Sequence, residues 1–118
     1  MDENCTLYKT MDFIGKKWTL LIILEIYKGD SERRYSEIKR SLPNITSKML
    51  SERLKELARN KLIIKRVDAS SVPIKSYYSL TPSGKEFIVI IKKIKKWALV
   101  WNVKNKTCEN QDCSNCEF

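Results

Sequence analysis

The chain of 118 residues has the length of one small domain. Its residues are 42% hydrophobic and 31% charged, and its formal net charge of +9 favours a polyanionic partner, either nucleic acid or an anionic membrane surface. With no histidine, only three glycines and no glycine-rich phosphate loop, the sequence lacks the usual machinery of an enzyme. The most apolar run, residues 20–27, is interrupted by Glu25 and is too short to span a bilayer, so we expect a cytoplasmic protein without a membrane partner.

Two helices are predicted at the start of the chain. Apolar side chains spaced i, i+4 and i+7 indicate a short amphipathic helix over residues 5–14. Gly15 follows at a position where helices often end in a left-handed residue. Residues 17–28 are apolar on nearly every side, so we expect this second helix to lie at the centre of the domain.

The middle of the chain predicts a helix-turn-helix unit. Ser36 is a suitable N-cap for a short helix over residues 37–42, and a turn at residues 43–44 follows. A longer helix then begins after its N-cap Thr46 and ends near Asn60. The polar outward positions of this longer helix are Ser47, Lys48, Ser51, Glu52, Lys55 and Arg59. Two packed helices with one polar face would show the same pattern, so the following segments decide the interpretation.

Three strands and a final helix complete the element order. Residues 33–35 predict a short strand, and residues 62–67 and 76–80 predict a hairpin around the polar and basic loop 68–75. Thr81 is the N-cap expected for the last helix. The order helix, helix, strand, helix, helix, strand, strand, helix is that of a winged helix-turn-helix domain, mainly α with a small β-wing (α+β).

The last helix also carries a heptad-like apolar seam. Its members are Phe87, Ile91, Ile94, Ala98 and Trp101, with Ile90 and Trp97 adjoining. Such a stripe at the end of so small a domain would expose too much apolar area in a monomer. We therefore expect a homodimer in which this helix packs against the first helix of each subunit; the alternative is that it folds back on its own core.

Several segments together carry a family resemblance. They are Cys5 ahead of the first helix, Ile14–Thr19, Arg34–Ile38, Ile45–Leu57, Leu62–Ile63 and Tyr78–Gly84. In order and spacing they resemble the HxlR family of winged helix-turn-helix regulators, relatives of the MarR type. The resemblance implies a cytoplasmic homodimer that binds pseudo-palindromic operators in double-stranded DNA, usually as a repressor and sometimes as an activator. The chain departs from the pattern at Asn60-Lys61, where a glycine is usual, and in the tail after residue 107.

The candidate DNA-binding residues fall on the helix-turn-helix and the wing. For direct base contacts in the major groove we expect Ser47, Lys48 and Ser51, flanked by Glu52 and Lys55. Phosphate contacts are predicted at Arg34, Lys39 and Arg66, and wing contacts at Ser70, Ser71 and Lys75. Ser36 and Thr46, at the helix starts, complete the set. Arg53 has two open interpretations, a phosphate contact or a brace for the wing.

The four cysteines allow more than one role. The resemblance implies that Cys5 senses oxidants or electrophiles, and a helix start favours its reactive thiolate while Asp2 and Glu3 oppose it. A small, buried and unreactive residue is the alternative. Cys108, Cys113 and Cys116 have a C-x4-C-x2-C spacing that suits zinc if a thiolate, for example that of Cys5, or a carboxylate supplies a fourth ligand. A disulfide or a disordered acidic tail fits the same spacing, and otherwise no cofactor is expected.

These patterns divide the chain into a winged helix-turn-helix domain with its dimerisation helices, residues 1–107, and a cysteine-containing acidic tail, residues 108–118. The expected function is a sequence-specific regulator of transcription, with a small molecule or an oxidant as a candidate effector. Three alternatives remain: an architectural nucleic-acid binder without sequence specificity, a winged helix that contacts proteins, and an RNA binder.

Overall fold

The structure, a computed structural model, describes residues 1–102 and 104–116. Positions 103, 117 and 118 of the predicted domain and tail lie outside the described residues. The helices are α1 (Thr6–Ile14), α2 (Thr19–Lys28), α3 (Tyr35–Ser41), α4 (Ser47–Arg59), α5 (Pro82–Trp101) and α6 (Lys106–Asn110), with a 3-10 helix at Cys113–Asn115. The strands are β1 (Arg33–Arg34), β2 (Ile63–Asp68) and β3 (Lys75–Leu80). The predicted winged helix-turn-helix order is confirmed, and α6 and the 3-10 helix follow it.

The three strands form one antiparallel sheet in the spatial order β1-β3-β2. The wing is the β2–β3 hairpin, whose register runs from Ile63 opposite Leu80 to Asp68 opposite Lys75. Because β1 pairs with β3, the chain just before α3 is fixed to the wing. The sheet therefore holds the helix-turn-helix unit and the wing in one rigid arrangement.

The core lies between α2, α3, α4, the sheet and the first half of α5. α2 is its centre, as predicted, since its buried side chains include Ile22, Ile23 and Ile26. The other buried apolar residues are Ile14, Ile38, Leu42, Ile45, Leu50, Leu54, Leu57, Leu62, Ile63, Tyr78, Ile88 and Ile91. Burial of this apolar surface is the main stabilising contribution to the fold.

Two predictions about helix ends are wrong. The N-cap of α3 is Arg34, and Ser36 lies inside the first turn, because the Glu37 carboxylate accepts a hydrogen bond from the Arg34 amide over 3.1 Å. The left-handed residue after α1 is Trp18, with φ of 82°, whereas Gly15 has φ of −76°. At the end of α4 the predicted cap Asn60 is confirmed, and Lys61 takes the left-handed position with φ of 64°.

The predicted seam of α5 is wrong in its first half. Ile91 is buried and Phe87 packs against the core of its own chain, together with Ile88. In the second half of the seam Ile94 and Trp101 are exposed, the latter to 76%, while Ala98 between them is half-buried. The alternative of a helix folded onto its own core thus describes the first half, and only the second half is available to a partner.

Candidate nucleic-acid interface

The exposed face of α4 carries the predicted base-contacting residues. Its opposite face is anchored in the core by Leu50, Leu54 and Leu57. Thr46 is the N-cap, and its hydroxyl accepts a hydrogen bond from the Met49 amide over 3.0 Å. Along the outward side, the exposed positions are Ser47, Lys48, Glu52, Lys55 and Arg59. Ser51 is half-buried at the edge of this face.

A single tyrosine fixes the angle between α3 and α4. The Tyr35 hydroxyl donates to the Ser47 carbonyl over 3.3 Å and lies 3.4 Å from the Ser51 hydroxyl. In the turn between the helices Asn44 has φ of 78°, a left-handed conformation that asparagine tolerates better than most residues. These contacts place the start of α4 at the surface of the domain, where its first turn is accessible. This role of Tyr35 was not predicted from the sequence.

The predicted phosphate-binding residues lie in different surroundings. Ser36 is exposed on α3, and Lys39 and Arg34 are half-buried nearby. Arg66, on the wing, makes two 2.8 Å hydrogen bonds to the Glu32 carboxylate and stacks over the Tyr77 ring at 4.4 Å. The Arg66 hydrogen bond holds the pKa of Glu32 below its usual range. A phosphate would therefore have to share Arg66 with Glu32.

The wing loop is ordered by its own hydrogen bonds. The Asp68 carboxylate accepts from both the amide and the hydroxyl of Ser70, which lowers the pKa of Asp68. The Ser71 hydroxyl donates to the Pro73 carbonyl over 3.4 Å, and Lys75 is half-buried at the start of β3. Ser70 and Ser71 are thus engaged within the loop.

Arg53 braces a segment other than the wing. Its Nε donates to the backbone carbonyl of Lys17 over 3.3 Å, in the segment between α1 and α2. On the next turn of α4, Glu56 forms an ion pair with Lys16 at 2.7 Å. Of the two open interpretations of Arg53, this contact does not favour a brace for the wing, because the side chain reaches the α1–α2 segment instead; a phosphate contact stays a prediction.

Cys5 occupies the N-cap position of α1. Its side chain makes no capping hydrogen bond and is half-buried, so the thiol is partly accessible. On the same helix Leu7 and Met11 are each 56% exposed. The second half of α5 adds exposed Ile94 and Trp97, so both terminal helices present apolar side chains that the chain itself leaves uncovered.

The tail cysteines do not form the expected metal cluster. None of the four cysteines forms a disulfide, and within residues 1–102 and 104–116 no three Cys, Asp or Glu side chains lie close enough to hold a metal ion. Cys108 lies in α6, whereas Cys113 and Cys116 lie in and after the 3-10 helix. In this arrangement the described cysteines are not gathered into one cluster, and the zinc site that the spacing suggested stays a prediction.

The acidic tail is docked on α2 and α5, an arrangement that was not predicted from the sequence. Asp112 lies 2.7 Å from the Lys92 ammonium and accepts a hydrogen bond from the Tyr27 hydroxyl over 3.0 Å. Lys95 donates to the Gln111 carbonyl over 2.9 Å. The Lys92 ammonium holds the pKa of Asp112 far below its usual range. The signal was present in the sequence as a basic α5 followed by an acidic tail.

Comparison with known proteins supports the same architecture. The sequence profile of the HxlR-like helix-turn-helix family matches residues 13–106. The uncharacterized HTH-type transcriptional regulator YvaP of Bacillus subtilis (strain 168) is 40% identical over 100 residues, which cover 84% of this chain and 90% of YvaP. None of the helices in the described part of the chain has the length and hydropathy needed to cross a membrane.

Two solved structures are similar over almost the whole chain. The reduced form of the transcriptional regulator YodB from B. subtilis has a TM-score of 0.70 at 32% identity, covering 92% of this chain and 98% of YodB. The redox regulator HypR in its oxidized form has a TM-score of 0.66 at 32% identity, covering 92% of this chain and 99% of HypR. By its sequence match, its element order and these structural similarities, the chain belongs to the HxlR-like helix-turn-helix family.

Proposed function

We propose that the chain is a homodimeric regulator of transcription that binds double-stranded DNA at specific sequences and acts as a repressor. The observation that carries this proposal is the exposed polar face of α4, which the buried leucines and the Tyr35 hydroxyl hold at the surface. A helix in this position fits the major groove, where base edges present a distinct pattern of donors and acceptors. The family membership and the names of its relatives support the same function.

In this proposal the residues of the interface divide into two groups. Ser47, Lys48 and Ser51 contact bases, with Glu52 and Lys55 at the flanks. Arg34, Lys39 and the wing contact phosphates, which position the protein without specifying sequence. The basic stretch 33–75, with 12 Lys and Arg against four Asp and Glu, supplies the field that attracts DNA.

A dimer is the second part of the proposal. The uncovered apolar side chains of α1 and of the second half of α5 supply the surface that two copies would bury together. A two-fold dimer places its two α4 helices against half-sites about one helical turn, ~34 Å, apart. The recovered binding site should therefore be a pseudo-palindrome.

Selection from a random duplex pool followed by sequencing tests specificity. We expect recovery of a two-fold symmetric motif, bound with an affinity that falls steeply with salt. Lys48→Ala should lose about 5- to 100-fold in affinity for that motif. Lys93→Ala removes the same charge from the exposed side of α5 and should leave the affinity unchanged. Weak binding without sequence preference would instead favour an architectural role, and equal affinity for duplex RNA would contradict the proposal.

We also propose that Cys5 makes DNA binding responsive to electrophiles. Its support is the accessible thiol at the start of α1 and the relative HypR, which is named a redox regulator. On addition to an electron-poor alkene, the sulfur forms a bond to the β-carbon and the thiol proton ends on the α-carbon. Treatment of the protein with such an alkene should change operator affinity in the wild type and leave that of Cys5→Ser unchanged; an equal response in both would contradict the role of Cys5.

A promoter–reporter fusion that contains the operator tests whether the protein represses or activates transcription. Higher reporter expression without the protein indicates repression, and lower expression indicates activation.

A further inference from the structure

The segment that joins α1 to α2 is attached directly to α4. Lys16 Nζ lies 2.7 Å from Glu56 Oε2, and Arg53 Nε donates to the Lys17 carbonyl over 3.3 Å. Arg53 and Glu56 are three residues apart on α4, so both face the same side of that helix. These two contacts link α1 to α4 through a short polar path, and we call the set Lys16, Lys17, Arg53 and Glu56 the linker joint.

The linker joint lies beside a strained backbone residue and unpaired buried oxygens, features that do not contribute to stability. Trp18, within the segment, has φ of 82°, a conformation that is costly for a bulky side chain. Among the described residues, the buried side-chain oxygens with no hydrogen-bond partner in the protein are Thr19 Oγ1 and Glu56 Oε1. An unpaired buried oxygen costs about 1–3 kcal/mol. Strain and unpaired polar groups of this kind cluster where a structure serves a function other than stability.

The two helices that the linker joint connects carry different parts of the proposed function. α1 begins at Cys5 and exposes Leu7 and Met11, so chemical modification and assembly both act on it. α4 exposes Ser47 and Lys48, which face the DNA in the proposal. The linker joint therefore connects the helix that carries the proposed signal-receiving thiol with the helix that binds DNA in the proposal.

We infer that Lys16, Arg53 and Glu56 are positioning residues that couple the orientation of α4 to that of α1. A change at Cys5 or in the packing of α1 moves the linker segment, and the ion pair and the hydrogen bond transmit this movement to α4. The consequence for DNA affinity rests on the proposed function, but the coupling itself can be measured without DNA.

Amide hydrogen exchange in α4 tests whether a change at α1 reaches α4. The parent variant carries Cys108→Ser, Cys113→Ser and Cys116→Ser, which leaves Cys5 as the thiol that a bulky maleimide can label. Labelling should change exchange in α4 by about two- to tenfold in the parent. In Lys16→Met and in Glu56→Gln this response of α4 should fall to less than about half, while the response of α1 itself persists. The charge-reversed pair Lys16→Glu with Glu56→Lys should restore it.

Lys92→Met is the matched control, because it breaks an ion pair of the same 2.7 Å length between α5 and the tail. It should leave the response of α4 at the parent level. The inference is overturned if labelling of Cys5 leaves α4 unchanged in the parent, or if the Lys16 and Glu56 variants respond as the parent does. A purely structural role would lower the melting temperature of the variants and leave the response intact. If labelling of Cys5 changes hydrogen exchange in α4 but the protein selects no DNA sequence, the proposed function is overturned and the coupling between α1 and α4 is still supported.

Discussion

Lys61 adopts a backbone conformation that is unfavourable for its residue type. It follows the C-cap of α4 with φ of 64°, and its amide bonds to the Ala58 carbonyl while the Leu62 amide bonds to the Leu57 carbonyl. This is the Schellman arrangement, in which glycine is the usual residue. A left-handed conformation costs an L-residue about 1–2 kcal/mol, so the lysine lowers the stability of the turn into the wing.

Lys61→Gly is therefore expected to stabilise the protein. The relief of backbone strain exceeds the entropy that glycine adds to the unfolded chain, and the net gain should be up to about 1 kcal/mol in the free energy of unfolding. Lys55→Gly, inside α4, should lower that free energy by about 1 kcal/mol. Urea denaturation at equal protein concentration measures the free energy of unfolding of both variants. A lower value for Lys61→Gly would contradict the inferred backbone strain at Lys61.

The Asp112 carboxylate makes the docking of the tail dependent on pH. Its hydrogen bond with Lys92 depresses its pKa in the folded state, so its stabilising effect is complete above the ordinary carboxyl pKa of about 4 and is lost as the pH falls further. Wild type should be more stable than Asp112→Asn near pH 6 by less than about 1 kcal/mol, since the pair is partly exposed and screened. The difference in the free energy of unfolding should shrink steadily as the pH falls below about 4. Glu109→Gln, at an exposed acid in α6, is the matched control and should be as stable as the wild type near pH 6.

At the scale of the element, α5 combines two roles in one helix of 20 residues. Its first half is held in the core by Ile88 and Ile91, and its second half exposes apolar side chains. Because the first half anchors it, the helix can project its second half without loss of the fold. A change confined to the second half should thus affect assembly more than folding.

Ile94→Asp should separate the proposed dimer. Ile94 is 48% exposed, and a charge buried at the interface would be desolvated without a partner, so the dissociation constant should rise more than about tenfold. Sedimentation velocity over a range of concentrations measures the change, with Lys93→Asp on the neighbouring exposed position as the control. A monomeric wild type, or an unchanged constant in Ile94→Asp, would contradict the dimer.

The element order was predictable because hydrophobic periodicity and caps at Thr46 and Thr81 are local signals. The error at Ser36 arose because a glutamate side chain three residues after Arg34 caps the helix instead. The seam of α5 was assigned wrongly since spacing alone does not show which apolar residues the rest of the same chain covers. For the same reason, the docked tail and the linker joint were missed: Asp112 meets Tyr27 and Lys16 meets Glu56 only after folding.

For the whole molecule, charge is separated along the fold. The basic stretch 33–75 forms the helix-turn-helix and the wing, whereas the acidic tail pairs its Asp112 carboxylate with Lys92 of α5. If DNA binds the basic side, Lys39→Ala should weaken binding to all sequences about equally and reduce the slope of log affinity against log salt by about 1. Lys93→Ala should leave this slope unchanged. A slope that is the same in both variants would exclude a phosphate contact at Lys39.

The placement of the tryptophans makes the intrinsic fluorescence of the protein sensitive to self-association. Trp18 is half-buried beside the core, whereas Trp97 is 59% exposed and Trp101 is 76% exposed on the uncovered part of α5. Indole emission shifts to shorter wavelength when the ring leaves water, so most of the wavelength change on dilution would come from these two rings. Self-association can thus be followed by the fluorescence of the unlabelled protein, with Trp18 as a nearly constant background.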